Sequence, residues 1–389
     1  MNHSIFNTIA LLLLGLGGLL AACSTNTNQG QTTATPVEIS ATLPDSPAQP
    51  ISGEIVSGDL GKVLDDYISQ DKPLFSGSIL VARDGEVLLS KGYNYANWEL
   101  KSPNSAQTKY RISSITKPIT ATMIMMLAEG GLLNLDDKLC DHLSGCPNEW
   151  QEITIQDLLA HTSGVPEYTT LLGAAAESRE PHNVRALIDL FQDESLEFPA
   201  GETYQYSNSN YILLGAVVEQ VSGQRYGEFL EKAILNPLDI EESGMDYADR
   251  ILKDRAAGYR IEGRALINAP YLDMSNAYAT AGMYSTVGDL YAFDQALYNE
   301  LLISQESQEI MYTPQFAADG SGGSYGLGWQ LGEAYGHRRV GHSGGINGFR
   351  VFMGRYLDDR VTIIVLSNIE TEDVGNIVED LEQIIFNEG

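Results

Sequence analysis

Strand patterns lie at the two ends of this chain and helical patterns lie between them. At the front, Gly77-Ser-Ile-Leu-Val-Ala-Arg83 and Glu86-Val-Leu-Leu-Ser-Lys-Gly-Tyr93 are joined by Asp84-Gly85, a strong hairpin signal. At the back, Gly326–Leu331, Gly348–Arg355 and Val361–Ser367 read as strands, with Asp358-Asp359 as the turn between the last two. Residues from roughly 115 to 300 read as mostly helical. A helix is expected over Asp59–Gln70. Short ones are expected over Ile155–Ala160, His182–Gln192 and Tyr211–Ser222. Asp373–Phe386 closes the chain with Val374, Ile377, Val378, Leu381, Ile384 and Ile385 on one side. Such an order implies an α+β fold: one antiparallel sheet built from both chain ends and flanked by helices, plus an inserted, mostly helical lobe. The expected place for a ligand is between sheet and lobe.

The helical middle opens on Tyr110-Arg-Ile-Ser-Ser-Ile-Thr-Lys-Pro118, followed by an apolar, glycine-free run to Glu129. Ser114 and Lys117 stand three apart. In a helix that spacing puts hydroxyl and amine on one face. Pro118 fits the first turn, where its missing N–H costs nothing. A helix N-terminus supplies N–H groups and positive potential for an anion, so the pattern is that of an activated serine nucleophile.

Ser114-Ile-Thr-Lys117, Tyr206-Ser-Asn208 and His342-Ser-Gly344, in that order, resemble the three motifs of the serine β-lactamase and penicillin-binding-protein superfamily. Tyr206 points to its class C-like branch, which also contains esterases and D-amino-acid peptidases. Leu159-Ala-His-Thr-Ser-Gly164, Ala281-Gly-Met-Tyr-Ser285 and Gly341-His-Ser-Gly-Gly345 fit the same branch. The resemblance spans about residues 60 to 388. It implies Ser114 as nucleophile, a coupled Lys117–Tyr206 pair as base, and Asn208 orienting Lys117 or a substrate amide. It also implies an oxyanion hole at the N–H groups of Ser114 and Gly345. His342, Ser343 and Gly344 are expected to bind substrate, with Gly344 and Gly345 small enough for its backbone to approach the strand. His342 replaces the usual lysine and is expected to donate to a substrate carboxylate while only partly charged at neutral pH. That departure favours peptides and esters over β-lactams. An acidic deacylating residue has no locatable counterpart, and His161 is expected to fix a loop.

Four other readings are excluded. Gly322-Gly-Ser-Tyr-Gly326 and Gly341-His-Ser-Gly-Gly345 match the nucleophile-elbow pattern. That fold needs a helix after the serine and a histidine downstream, and neither follows Ser343. A net charge of −29 excludes a nucleic-acid backbone as partner. Six scattered histidines without H-E-x-x-H imply no metal, and no phosphate loop implies no nucleotide cofactor. The expected partner is a small-molecule or peptide substrate, and nothing in the sequence fixes an oligomeric state.

Residues 1–22 read as a lipoprotein signal peptide. Leu20-Ala-Ala-Cys23 ends an apolar run too short to span a bilayer and resembles a lipobox, although Met1–Thr8 carries no Lys or Arg. Cys23 is then the lipidated residue. Residues 23–55, rich in Thr, Asn, Gln, Ser and Pro, read as a disordered tether, and 56–389 as the hydrolase domain. The expected location is the cell envelope, outside the cytosol. There Cys140 and Cys146 can close a small disulfide, or remain free thiols.

Overall fold

A computed structural model describes residues 51, 53–172 and 179–387. The signal peptide, Cys23 and most of the tether lie outside these. The front hairpin forms β2 (Gly77–Arg83) and β3 (Glu86–Tyr93), after a short β1 (Ile55–Val56). Asp84 and Gly85 both take positive φ, as a two-residue turn between twisted strands requires. The back of the chain supplies β4 (Gln330–Ala334), β5 (His337–Ile346), β6 (Phe349–Tyr356) and β7 (Val361–Ser367). All seven strands pair antiparallel in the order β1-β3-β2-β7-β6-β5-β4, so the last strand joins the first hairpin to the rest.

Both faces of this sheet are covered, and residues of β7 alternate between two cores. Ile363 and Val365 face α1 (Gly58–Asp66) and the closing helix α7 (Val374–Asn387), among Leu64, Ile68, Ile377 and Leu381. Ile364 and Leu366 face the larger core of the helical lobe. Its central members are α2 (Thr116–Glu129) and α4 (Asn208–Ser222), buried along nearly their whole lengths. Among the smaller helices are α3 (Ile155–Ala160), α5 (Tyr278–Ala281) and α6 (Val287–Tyr298). The hydroxyls that α2 buries are satisfied locally: Thr120 Oγ1 donates to Thr116 O, and Thr122 Oγ1 to Pro118 O. Pro118 lies in the first turn, as its chemistry asks.

Several boundaries differ from the sequence reading. The tether ends before residue 55, because Ile55 and Val56 pair with Ser90 and Leu89, and Ile51 packs on the lobe's core. The helix expected over His182–Gln192 is confined to Val184–Asp189, capped by the Asn183 side chain. Residues 326–329 are not a strand. Gly328 takes φ +84 where a Cβ would meet Ala121, and Leu327 and Trp329 fill the core. The strand starts only at Gln330. Cys140 and Cys146 are joined by a disulfide, Cα–Cα 5.5 Å.

Candidate active site

The nucleophile sits on a strained turn. Ser113 takes φ +49, in the left-handed region that a residue with a Cβ adopts only at a cost of about 1–3 kcal/mol. A single 3-10 turn, Ser113–Ile115, then runs into α2. Ser114 is half-buried, whereas Lys117, one turn on, is completely enclosed.

Lys117 Nζ lies 3.3 Å from Ser114 Oγ, 2.8 Å from Asn208 Oδ1, and 2.7 and 3.2 Å from Thr280 Oγ1 and O. Thr280 Oγ1 in turn donates to Asn208 Oδ1 at 2.7 Å. Burial pulls the amine down to about 7, against the upward pull of the Glu167 carboxylate. A neutral amine has two N–H groups and a lone pair. The two shortest contacts take the N–H groups, which leaves the lone pair for the Ser114 hydroxyl. Asn208 therefore orients Lys117, one of its two expected roles.

Tyr206 is half-buried, and its hydroxyl is hydrogen-bonded to the Ser114 side chain. Burial pushes the phenol above its ordinary value. Lys117 Nζ sits over the Tyr206 ring, 4.9 Å from the centroid. Both members of the Lys117–Tyr206 pair thus stand at the Ser114 side chain.

His342 departs from expectation. It is buried on β5, and its Nδ1 lies 2.6 Å from Ser343 O, so Nδ1 carries the proton. Nε2 then accepts from Tyr325 Oη at 2.9 Å. Burial lowers its pKa to about 3. With both nitrogens engaged and no charge, His342 offers nothing to a substrate carboxylate; it supports the Tyr325–Tyr206 ring cluster. Ser343, exposed, donates both its N–H and Oγ to Gln330 Oε1. Gly344 also has a different use. A Cβ there would come within 2.9 Å of Ser114 N and 3.0 Å of Ser113 Cβ, so its bareness admits the nucleophile's own turn rather than substrate. This docking brings Ser114 N beside Gly345, and both residues line one cavity of about 440 Å³, with Tyr206, Asn208, Thr280 and Asn347. Two backbone N–H groups at such a place can hold an oxyanion.

Around this centre His161 fixes a loop. It closes α3 at φ +61 and accepts at Nδ1 from Ser207 N and Asn210 Nδ2, both at 3.2 Å. Its ring lies 4.3 Å from that of Tyr206. Three functional residues escaped the sequence reading. Thr280 stands one place before the Ala281–Ser285 segment. Tyr325 lies inside the rejected elbow motif. Glu167 follows the Leu159–Gly164 segment, and its carboxylate accepts from Asn208 N at 2.5 Å and caps Thr169 N at 3.0 Å. Their only signal was adjacency to motifs. Among the described residues no group of three His, Cys, Asp or Glu could hold a metal ion.

Comparison with known proteins shows the family and the fold. The family model described as "Beta-lactamase" matches residues 64–384. Penicillin-binding protein 4* of Bacillus subtilis is 33% identical over 334 residues, 81% of this chain and 73% of that protein. A penicillin-binding protein from Bacillus halodurans superposes with a TM-score of 0.71 at 26% identity, over 84% of this chain and all of that one. The D-amino acid amidase of Ochrobactrum anthropi SV3, with D-phenylalanine bound, has a TM-score of 0.75 at 21% identity, over 85% of this chain and 100% of its own, a likeness of fold. With its motifs assembled around Ser114 and the match running through both lobes, the chain belongs to the beta-lactamase family of serine hydrolases.

Proposed function

We propose that this chain is an extracytoplasmic serine hydrolase that forms an acyl-enzyme on Ser114 from a D-amino-acid peptide, an ester or, less readily, a β-lactam. The observation that carries it is the enclosed Lys117 amine, held at about 7 and 3.3 Å from Ser114 Oγ. A base titrating near the working pH is suited to both taking and returning a proton.

In the first step Ser114 Oγ attacks the carbonyl carbon while its proton passes to Lys117 Nζ. The new C–O bond pushes the carbonyl electron pair onto oxygen, between the N–H groups of Ser114 and Gly345. Collapse breaks the bond to the leaving nitrogen or oxygen, which takes the proton from Lys117 Nζ as it departs, while the Tyr206 hydroxyl beside Ser114 Oγ meets the departing atom. Water then enters by the same route in reverse and frees Ser114. The uncharged His342 supports ester and peptide substrates over β-lactams, because the third motif lacks the usual cation.

Intact mass after exposure to a fluorophosphonate and to a penicillin tests the proposal. An adduct on Ser114, absent in Ser114→Ala, is the expected result. A penicilloyl adduct that persists for hours would identify a penicillin-capturing, non-hydrolysing protein instead, and no adduct with either reagent would refute an activated serine. We further propose anchoring in the cell envelope through a lipid on Cys23. Cys23→Ser should move the protein from membranes to the soluble fraction, and unchanged membrane association would refute the anchor.

A further inference from the structure

Beside the catalytic cavity lies a second one, of about 390 Å³, lined by Asn97, Arg111, Arg255, Tyr271, Asn347 and Phe349 among others. Asn347 lines both, so the two adjoin at the turn between β5 and β6. Arg111 and Arg255 share a single carboxylate: Arg111 Nε donates to Asp246 Oδ2 and Arg255 Nη1 to Asp246 Oδ1, each at 2.8 Å. Two guanidiniums on one carboxylate leave one net positive charge, in a chain whose acidic residues outnumber Lys and Arg by 52 to 23. Asp246 itself is 1% exposed, and the Arg111 side chain only 17%. The remaining guanidinium N–H groups make no hydrogen bond among the described residues. They are not sealed in apolar surroundings either: Arg111 has no buried unpaired nitrogen, and the Arg255 side chain is 39% exposed. Arg111 is mostly enclosed and lines the second cavity, which gives its spare donors their outlet. Enclosure strengthens a guanidinium's hold on an anion, since less water competes for it.

We infer that this cavity is a subsite for an anionic group, carboxylate or phosphate, carried by the substrate at a distance from the bond that is cleaved. The inference rests on the hydrolase reading for what carries the anion. Arg111 stands three residues before Ser114, so their Cα atoms are at most about 11 Å apart. The anion therefore belongs within about 10 Å of the scissile carbonyl. His342 does not compete for the anion, since Tyr325 and the Ser343 carbonyl engage both its ring nitrogens.

The test uses p-nitrophenyl half-esters of linear dicarboxylic acids, from glutaric to sebacic, with matched ω-phosphonates and neutral ω-carboxamides. The expected result is a kcat/KM advantage of about tenfold or more for the anionic ester over its amide, the fold-change usual for a charged hydrogen bond. It should peak at one chain length. Whether carboxylate or phosphonate gains more distinguishes the two sources. Arg255→Gln leaves Arg111 paired with Asp246 and should abolish the advantage while sparing the amide substrate. Arg111→Lys, which keeps a charge without the fork, should reduce it. A second arm needs no catalysis: glutarate or inorganic phosphate, but not glutaramide, should raise the melting temperature of the Ser114→Ala protein, and Arg255→Gln should remove the rise. Absence of both the kinetic preference and the anion-dependent rise would overturn the subsite, as would equal losses on charged and neutral esters in Arg255→Gln. An anion-dependent rise in a protein whose Ser114 is inert to fluorophosphonate would sustain the subsite and refute the hydrolase reading.

Discussion

Replacing Glu167 by Gln should make the enzyme work better in acid and slightly worse in base. The Glu167 carboxylate accepts from Asn208 N, and Asn208 Oδ1 in turn meets Lys117 Nζ, at 2.5 and 2.8 Å. With the span of one asparagine between, carboxylate and amine lie within about 10 Å. At an effective dielectric of about 20, a unit charge at that distance is worth about 1.7 kcal/mol, or about one pH unit. The carboxylate favours the ammonium form, the one that cannot accept the Ser114 proton. In the wild type, acylation should rise with pH through the Lys117 value of about 7. In Glu167→Gln, whose amide oxygen can still accept from Asn208 N, the midpoint should fall towards about 6. A less basic amine is also a weaker base, so the high-pH plateau should drop by about threefold. The two profiles cross. Rates of Ser114 labelling by a fluorophosphonate between pH 5 and 9 measure both limbs. An unchanged or raised midpoint would refute the electrostatic role of Glu167, and loss at every pH would make it a purely structural residue.

Three more predictions follow from the same geometry. Tyr206→Phe keeps the ring against His161 but removes the hydroxyl beside Ser114 Oγ, so turnover should fall by roughly 10²–10⁴-fold with little change in melting temperature; retention of a third of the activity would contradict a catalytic part for that hydroxyl. Gly344→Ala drives a methyl into Ser113 and Ser114, displacing one oxyanion donor, and should cost about 10²–10³ in kcat; a near-wild-type rate would show that the turn can shift without harm. Lys117→Met should raise stability at pH 7, by about 1–3 kcal/mol. Because the folded-state pKa lies below the unfolded one, the unfolded chain binds the extra proton between about 7 and 10.5, and wild-type stability climbs with pH across that window. Denaturant melts of both proteins should converge as pH rises; a gap independent of pH would refute the linkage.

What could be read from the sequence was whatever is local. The Asp84-Gly85 turn has only one good use between two alternating runs, and the apolar stretch after Lys117 had to be a buried helix. The nucleophile and its amine were legible because one helical turn joins them. Thr280 and Glu167 were not, since their meaning is a hydrogen bond to residues 163 and 41 positions away. His342 was misjudged for a related reason. Its residue type suggests a titrating donor, but Tyr325 and the Ser343 carbonyl take both nitrogens and burial removes the charge. Gly326–Leu331 carried a strand's alternation, yet its apolar residues were needed to plug the core between sheet and lobe.

The position of β7 also bears on how the polypeptide reaches this state. This strand, near the end of the chain, lies in the middle of the sheet, hydrogen-bonded to β2 on one side and β6 on the other. During synthesis the front hairpin emerges first and has no partner on its β2 edge until almost everything else has been made. Ile79 and Val81 then have only half a core, because Ile363, Val365 and α7 are still missing. Pairings this remote in sequence are slow, and they demand loop closure before contacts repay it. Cooperative folding of the sheet is therefore postponed until β7 and α7 have been made.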